Sequence, residues 1–511
     1  MPLHSLFFVL LGACGLVIGF PNNILNLPVL IFLWPLSHFF LATKAHSAAQ
    51  AFGHGYCLSF LGMTATLYWI CLPIQIVGGL PLPAAISCLL AITSILSLGY
   101  GFFTQVLWLA RALPPLYLAL FASCAWVCVE LVEAILSKFP WLNFAAALTP
   151  WPILVQSAAY VGCYGISLIY SFILFCLLVA HQRKNWCTFA FGAIALGTLL
   201  TANYTLLATQ EKDGRSVSVL FVEGNINQNQ KWDAKFQQAT FNHYAKLTQE
   251  GLAQHPETEL IIWSETAMPF FYEISPLAAQ IQKLVQHLHR PLLFGAPGTL
   301  VSSSTRTPPV YNRATLLNSM GQTIGQYEKE QLVPFGEYTP SWLHFDFLDP
   351  LLQGIGTYTP GQHTAPLLYK DLSFGMLICY EGIFPWLAQR RVTEGANLLI
   401  DISNDTWFAQ TSALRQHLYL TALRAVEQQR WILRATNSGI SAVIDSHGRI
   451  VCQGPIAKAG SLIAHANTQT KYSFFHEHWL AELIIFGLLF LSLLGYLLKQ
   501  YHNMKTKKDQ T

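Results

Sequence analysis

Charge is scarce in this sequence. Lys and Arg number 29 and Asp and Glu 26 in 511 residues, so charged residues make up 11% while hydrophobic residues make up 53%. An ordinary soluble chain carries about twice that charged fraction. The shortfall argues against a purely soluble chain and points to membrane spans, and the length exceeds one ordinary domain. The net charge is +3 with no basic cluster, so nothing suggests a nucleic-acid partner. Paired cysteines of metal or disulfide type are also missing. Cys14, Cys57, Cys71, Cys88, Cys124, Cys128, Cys163, Cys176 and Cys187 all lie in the apolar N-terminal part, where a thiol packs as a small hydrophobe. Only Cys379 and Cys452 lie in the polar part. A disulfide between those two is disfavoured, because Cys379 sits among candidate catalytic partners and Cys452 does not. The 17 histidines offer no pair at helical ligand spacing with a third ligand, so no metal is expected and His417 reads as a hydrogen-bonded structural residue. There is no cofactor motif, no repeat and no low-complexity segment.

What is present is long apolar runs. About eight segments are apolar enough to cross a bilayer: Ser5–Phe20, Leu25–Ala42, Cys57–Gly79, Ala84–Trp108, Pro114–Leu136, Ile153–Ala180, Trp186–Leu206 and Trp479–Leu498. The expected division is a membrane bundle over residues 1–209, a polar domain over 210–472, a last span over 473–500 and a tail over 501–511. Lys44, Arg111, Arg183, Lys184 and the basic tail (Lys499, Lys505, Lys507, Lys508) fall in alternate loops, against Lys138 alone on the other side. Cytoplasmic loops retain Lys and Arg, so both termini are expected in the cytoplasm and the polar domain outside it. Leu11-Gly12-Ala13-Cys14 looks like a lipoprotein cleavage site. The start Met1-Pro2-Leu3-His4 has no basic residue, however, and the apolar run continues past Cys14, so an uncleaved first span is expected. Glu130, inside an apolar span, fits either the bundle interior near a lipid headgroup or the interface.

The polar region alternates strand-like and helix-like segments. Val217–Val222, Leu260–Trp263, Leu292–Gly295, Phe374–Cys379, Leu398–Ile402 and Ile440–Ile444 read as strands; Asp233–Ala253, Ser275–His289 and Leu414–Gln429 read as helices. This alternation predicts an α/β domain with buried sheets. Arg424, Glu427 and Arg430 have the spacing of an ion-pair face on the last of those helices. Two apolar approaches end in reactive groups, Glu265 after Leu260–Trp263 and Cys379 after Ser373–Ile378, and Lys329 lies on the approach to the Pro334–Gly336 turn. A base, a cation and a thiol at element ends are the parts of an acyl-transfer site.

In that order the three residues resemble the nitrilase, or carbon–nitrogen hydrolase, superfamily. Longer stretches resemble its membrane-bound branch, the apolipoprotein N-acyltransferase family, over essentially the whole chain. They are Glu223-Gly224-Asn225-Ile226 with Lys231-Trp232-Asp233, Trp263-Ser264-Glu265-Thr266-Ala267-Met268-Pro269, Lys329 with Leu332-Val333-Pro334-Phe335-Gly336-Glu337, and Cys379-Tyr380-Glu381. Ile402-Ser403-Asn404-Asp405-Thr406-Trp407-Phe408, Gln416-His417 and Arg434-Ala435-Thr436-Asn437-Ser438-Gly439 complete the set. The resemblance implies an α-helical membrane bundle plus an extracytoplasmic nitrilase-like α-β-β-α sandwich. It implies Glu265 as general base, Lys329 as the cation for the transition state and Cys379 as the acyl-bearing nucleophile. Glu337 would be an accessory carboxylate orienting Lys329 or the incoming amine. Tyr380, Glu381 and Trp232 match positions that line the family's site. Ser264 stands where the family often has Pro, and Glu330-Gln331 where it often has Asn-His; Glu330 would add negative charge beside Lys329 if it pointed inward. Asn404 and Asp405 fit a turn cap beside the site or a structural Asx turn.

The implied reaction is ping-pong and needs no cofactor. A phospholipid, typically phosphatidylethanolamine, gives its acyl chain to Cys379. The α-amino group of a diacylglyceryl-cysteine at the N-terminus of an apolipoprotein then takes it. This is the last step of bacterial lipoprotein maturation, at the inner membrane facing the periplasm. Two aromatic stretches, Pro269–Tyr272 and Trp342–Leu348, are expected as membrane-touching lids that shield the thioester from water. The alternative within enzymes is a membrane-tethered nitrilase-type amidase hydrolysing a small amide. A transporter would need ionisable residues at mid-span, and the spans are poor in them; a catalytically dead binding module would not need the intact Glu, Lys and Cys.

Overall fold

The computed structural model describes residues 1–76, 78–209, 214–300, 308–339 and 358–508. It divides into two compact units. One comprises Met1–Tyr68, Ile86–Thr209 and Ser473–Thr511; the other comprises Trp69–Ala85 and Gln210–Tyr472.

The first unit is helical. Its apolar runs form the helices Leu3–Gly19, Leu33–Lys44, Ala48–Thr66, Leu82–Leu109, Pro115–Ser137, Ala158–Arg183, Trp186–Ala208 and Phe474–Lys508, the fourth of which starts in the other unit. Five of the described helices are long and apolar enough to cross a membrane, or six if the broken pair Ala48–Thr66 and Tyr68–Ile76 counts as one. Leu3–Gly19 and Pro28–Lys44 are shorter. Polar caps set the boundaries that hydropathy blurs. Ser47 accepts from Gln50 N and so starts its helix well before Cys57, and Asn185 likewise accepts from Thr188 N. Trp34, Tyr100 and Trp126 pack ring against ring in the interior, with centroids 4.6–5.2 Å apart. Glu130 faces this interior. It accepts from Trp126 Nε1 (3.1 Å), Asn143 Nδ2 (3.1 Å) and Phe144 N (2.9 Å), so a carboxylate that lipid would penalise closes the start of the short helix Phe144–Leu148.

The second unit carries two six-stranded sheets. The first runs in the order β12-β1-β2-β3-β4-β5, made of β1 (Ser216–Glu223), β2 (Leu260–Trp263), β3 (Leu292–Thr299), β4 (Val310–Leu317), β5 (Thr323–Glu328) and β12 (Gly460–Asn467). The second runs β11-β10-β9-β8-β7-β6, made of β6 (Leu367–Tyr369), β7 (Leu372–Ile378), β8 (Leu398–Ser403), β9 (Ile432–Thr436), β10 (Ala442–Ile444) and β11 (Ile450–Gln453). The inner strands β1 and β2, and β7, β8 and β9, pair in parallel. They read as unbroken apolar runs because both of their faces are covered. Val219, Phe221, Ile262 and Leu293 of one sheet share a core with Phe374, Met376, Ile400 and Leu433 of the other. The opposite face of β1–β3 packs on helices Gln237–Gln254 and Leu277–Leu288, and that of β8–β10 packs on Pro385–Thr393 and Ala413–Gln428. The parallel order puts the C-terminal ends of β2, β7, β8 and β9 on view, and the candidate residues follow those ends.

Trp69, on the short Trp69–Ala85 piece, belongs to this unit. Its indole donates to Gln416 Oε1 (2.9 Å) and stands edge-on to Phe408 (5.0 Å). All eleven cysteines are free thiols.

Candidate active site

Cys379 follows β7 directly and has φ +55°, in the left-handed region. A β-carbon makes that conformation costly, so the surroundings must hold it. Glu381 does much of this. Its fully buried carboxylate accepts from Ile378 N (2.7 Å), Glu330 N (2.8 Å), Gln331 N (3.1 Å) and the Tyr327 hydroxyl (2.8 Å). One side chain thereby ties the corner bearing Cys379 to the segment bearing Lys329. Arg391 braces the same knot by donating to Tyr327 Oη (2.6 Å) and the Met376 carbonyl (2.9 Å). On the other side His417 donates from Nε2 to the Cys379 carbonyl (3.0 Å). Its Nδ1 lies 3.1 Å from Asp405 Oδ1, and Asp405 Oδ2 accepts from Arg434 (2.8 Å). Arg434 also pairs with Asp401. Gly439 is required here, because a β-carbon would come within 2.3 Å of Asp405.

Glu265 comes two residues after β2, and Thr266 after it has φ +47°. Gly295 of β3 leaves room for this corner, since a β-carbon would lie 2.7 Å from Glu265 Cα. Asn312 of β4 donates from Nδ2 to both Glu265 Oε1 (2.6 Å) and Glu337 Oε1 (3.0 Å). Lys329 donates to Glu337 Oε1 (2.9 Å) and lies 3.9 Å from Glu265 Oε1. The second oxygen of Glu337 accepts from Val333 N (2.8 Å). Lys329, Glu265 and Glu337 are all buried.

Burial raises the Glu265 carboxyl above the usual range; Lys329 opposes that and Glu337 adds to it. Burial alone would depress the Lys329 ammonium, but Glu337 and then Glu265 outweigh it and hold it above the usual lysine range. Burial, followed by the negative charge of Glu265, pushes the Cys379 thiol well up, with Lys329 and a hydrogen bond to Ser403 pulling the other way. The site sets a thiol that resists ionisation near the Glu265 carboxyl and the Lys329 ammonium. That arrangement can deprotonate a thiol as it attacks and neutralise an oxyanion as it forms.

The structure thus gathers Glu265, Lys329, Cys379, Glu337 and Glu381 around one point. Tyr380 is buried edge-on to Phe384 (5.0 Å). Trp232 stands apart, 49% exposed, while its neighbour Lys231 is 2% exposed and donates to the Glu265 carbonyl (3.3 Å). Lys231 stands in the sequence only as part of the stretch Lys231-Trp232-Asp233, with no role, because a four-residue helix (Gln228–Lys231) has no periodicity to flag an inward face. Glu330 puts no free charge beside Lys329, since Arg390 (2.7 Å) and Arg391 pair with it. Ser264 bonds the Tyr244 hydroxyl (3.0 Å). Of the three-residue ion-pair face, only Arg424–Glu427 forms (2.9 Å); Arg430 donates instead to the Ala396 carbonyl (3.0 Å). The expected lid Pro269–Tyr272 is corrected: Phe270 and Tyr272 are core residues packed with Phe294, which explains their aromatic character without a membrane contact. The other expected lid, Trp342–Leu348, lies outside the described residues.

The carbon-nitrogen hydrolase family profile matches residues 225–473, and the profile of the apolipoprotein N-acyltransferase N-terminal domain matches residues 12–176. A Geobacter metallireducens protein named apolipoprotein N-acyltransferase is 30% identical over 489 residues, covering 94% of this chain and 92% of its own. A Brucella melitensis protein of the same name is 32% identical, covering 84% of this chain and 82% of its own. Among solved structures, Saccharomyces cerevisiae Nit3, a nitrilase-superfamily member, aligns at 18% identity with a TM-score of 0.39, over 51% of this chain and 93% of its own.

Proposed function

The chain belongs to the apolipoprotein N-acyltransferase family, and from that premise we propose that it moves an acyl chain from a phospholipid to the N-terminal amine of a diacylglyceryl-apolipoprotein through a thioester on Cys379. It is an enzyme of the carbon-nitrogen hydrolase superfamily and a bacterial membrane protein. In the finer reading, eight helices span the inner membrane, both termini are cytoplasmic, and residues 210–472 form an α-β-β-α catalytic sandwich facing the periplasm.

The observation that carries the proposal is the convergence of Glu265 and Lys329, 3.9 Å apart, with both charges acting on Cys379. Glu265 takes the thiol proton as sulfur bonds to the ester carbonyl carbon. The oxyanion forms opposite the Lys329 ammonium, whose position Glu337 fixes. Collapse breaks the ester C–O bond, and the proton passes from Glu265 to the departing lysophospholipid, phosphatidylethanolamine being the preferred donor. In the second half the amine attacks the thioester, Glu265 accepts its proton, and the C–S bond breaks to leave an amide and the free thiol. Tyr380 and Glu381 build the corner that presents the sulfur. Trp232, on the exterior, is suited to a lipid or lipoprotein contact.

Incubating the protein with phospholipid carrying a labelled acyl chain tests the proposal. A hydroxylamine-sensitive label on the protein and stoichiometric lysophospholipid are expected. A small-amide hydrolase would give neither.

The raised Glu265 pKa fixes an acid limit. The base works only when ionised, so acylation falls as pH drops through a value above the ordinary glutamate range of about 4.3. Single-turnover acylation between pH 4 and 8 should show that limb. Glu265→Gln should fold normally and form no thioester at any pH; a limb at the ordinary glutamate value would contradict the assignment of Glu265.

A further inference from the structure

We propose that Lys231 is a second cation of the reaction centre, a positioning residue that holds the main chain of Glu265 and by its charge favours the thiolate of Cys379. The inference rests on the reading of Cys379 as nucleophile and adds a residue to that site.

Three observations support it. Lys231 is almost wholly buried, and an ammonium is not placed in a protein interior without compensation. The one hydrogen bond of its ammonium among the described residues goes to the carbonyl of the base itself, at 3.3 Å, which leaves two N–H donors uncommitted there. The loop that delivers it is clamped. Asn225 N donates to the Asn437 carbonyl (2.9 Å), Ile226 N to Asn437 Oδ1 (3.0 Å), Asn437 Nδ2 to the Ile226 carbonyl (2.9 Å), and Asn404 Nδ2 to Gln228 Oε1 (3.1 Å). Asn404 and Asn437 follow β8 and β9, so the ends of two parallel strands fix where Lys231 sits.

The charged groups around Lys231 explain its behaviour. Burial lowers the ammonium to about 8, while Glu265 and then Cys379 pull it up. Lys329 and Glu337 act on the same Glu265, Asp405 acts on Cys379, and Cys379 in turn acts on Arg434. On its own element Asp233 pairs with the exposed Lys235 and is spent there. Lys329 is therefore the cation that persists at every working pH. Lys231 is the one whose charge disappears as pH rises through about 8.

Alkylation of Cys379 by iodoacetamide in the full-length, detergent-solubilised protein, read peptide by peptide by mass spectrometry, tests this without any lipid substrate. At pH 7 Lys231→Met should slow alkylation at Cys379 about tenfold, the equivalent of one unit of thiol pKa. Lys231→Arg should stay within about threefold of the parent, about half a unit on the same scale. At pH 9.5 the parent has lost its own Lys231 charge, so the gap to Lys231→Met should close and Lys231→Arg should react faster than the parent. A gap that persists unchanged at pH 9.5, or no gap at pH 7, overturns the proposal. Should Lys231→Met fail to fold, the Arg variant decides alone: equal rates with the parent at both pH values refute it. Failure of the acyl-lipid labelling would strike the thioester reading and leave this alkylation pattern standing.

Discussion

Cys379→Ala protein, mixed with phospholipid bearing a labelled acyl chain, carries no hydroxylamine-sensitive label and releases no lysophospholipid. The thiol is the only group at this point able to form a thioester; Glu265 and Lys329 can move a proton or stabilise charge but cannot hold the acyl chain as one. Turnover into an apolipoprotein peptide should fall by on the order of 10⁴-fold or more, as removal of a covalent nucleophile does. Cys379→Ser should also lose the label, because a hydroxyl is a far harder group to ionise than a thiol. Both variants should melt close to the parent, since the corner is held through main-chain groups and Glu381 rather than through sulfur. Label retained in Cys379→Ala would refute the assigned nucleophile.

The second large effect belongs to Arg434, which touches no reacting atom. It is fully buried and neutralises Asp405, whose carboxyl it holds well below the usual range against the upward push of burial; it pairs with Asp401 as well. Arg434→Met leaves two carboxylates in the interior with one histidine between them, a loss of about 3–5 kcal/mol. The melting transition should drop by on the order of 10 °C. The sign of the pH dependence separates this cause from mere repacking. In the variant the stranded carboxyls titrate above their unfolded values, so they favour the fold at low pH and cost stability as pH rises. The deficit should shrink between pH 7 and pH 5. Adding Asp401→Asn and Asp405→Asn should recover part of it. A deficit equal at both pH values would mean that the guanidinium acts by volume alone.

Glu265 and Cys379 were legible because each ends an apolar approach, and buried strands must stop where the chain turns out to a site; Lys329 was legible from its place before the Pro334–Gly336 turn. Six of the eight inner strands (β1, β2, β3, β7, β8 and β10) and the three long helices of the second unit were legible from their apolar and periodic patterns; β4 and β9 were missed, because Asn312 and Arg313 in one and Arg434 in the other interrupt the apolar run. β5 and β11 were missed too, because edge strands carry residues such as Gln326 and Gln453 and lose the apolar run. The knot of Glu381, Tyr327 and Arg391 was equally hidden. Its members are 10 to 64 positions apart and nothing local links them. Glu381 could be seen as a site residue from its motif, but its task of binding two segments together needs coordinates. Aromatic content misled at Phe270 and Tyr272, since a loop that dives under a helix has the same composition as one that meets lipid.

The short Trp69–Ala85 piece has a practical consequence. Hydropathy reads it as the tail of a span, yet its indole seals Phe408 and satisfies the buried amide of Gln416, one residue before His417. The working half of the molecule is therefore stitched from two stretches of chain separated by Ile86–Thr209. A truncated product that begins at Gln210 would lack that stitch and carry an uncovered hole close to the histidine that steadies the nucleophile.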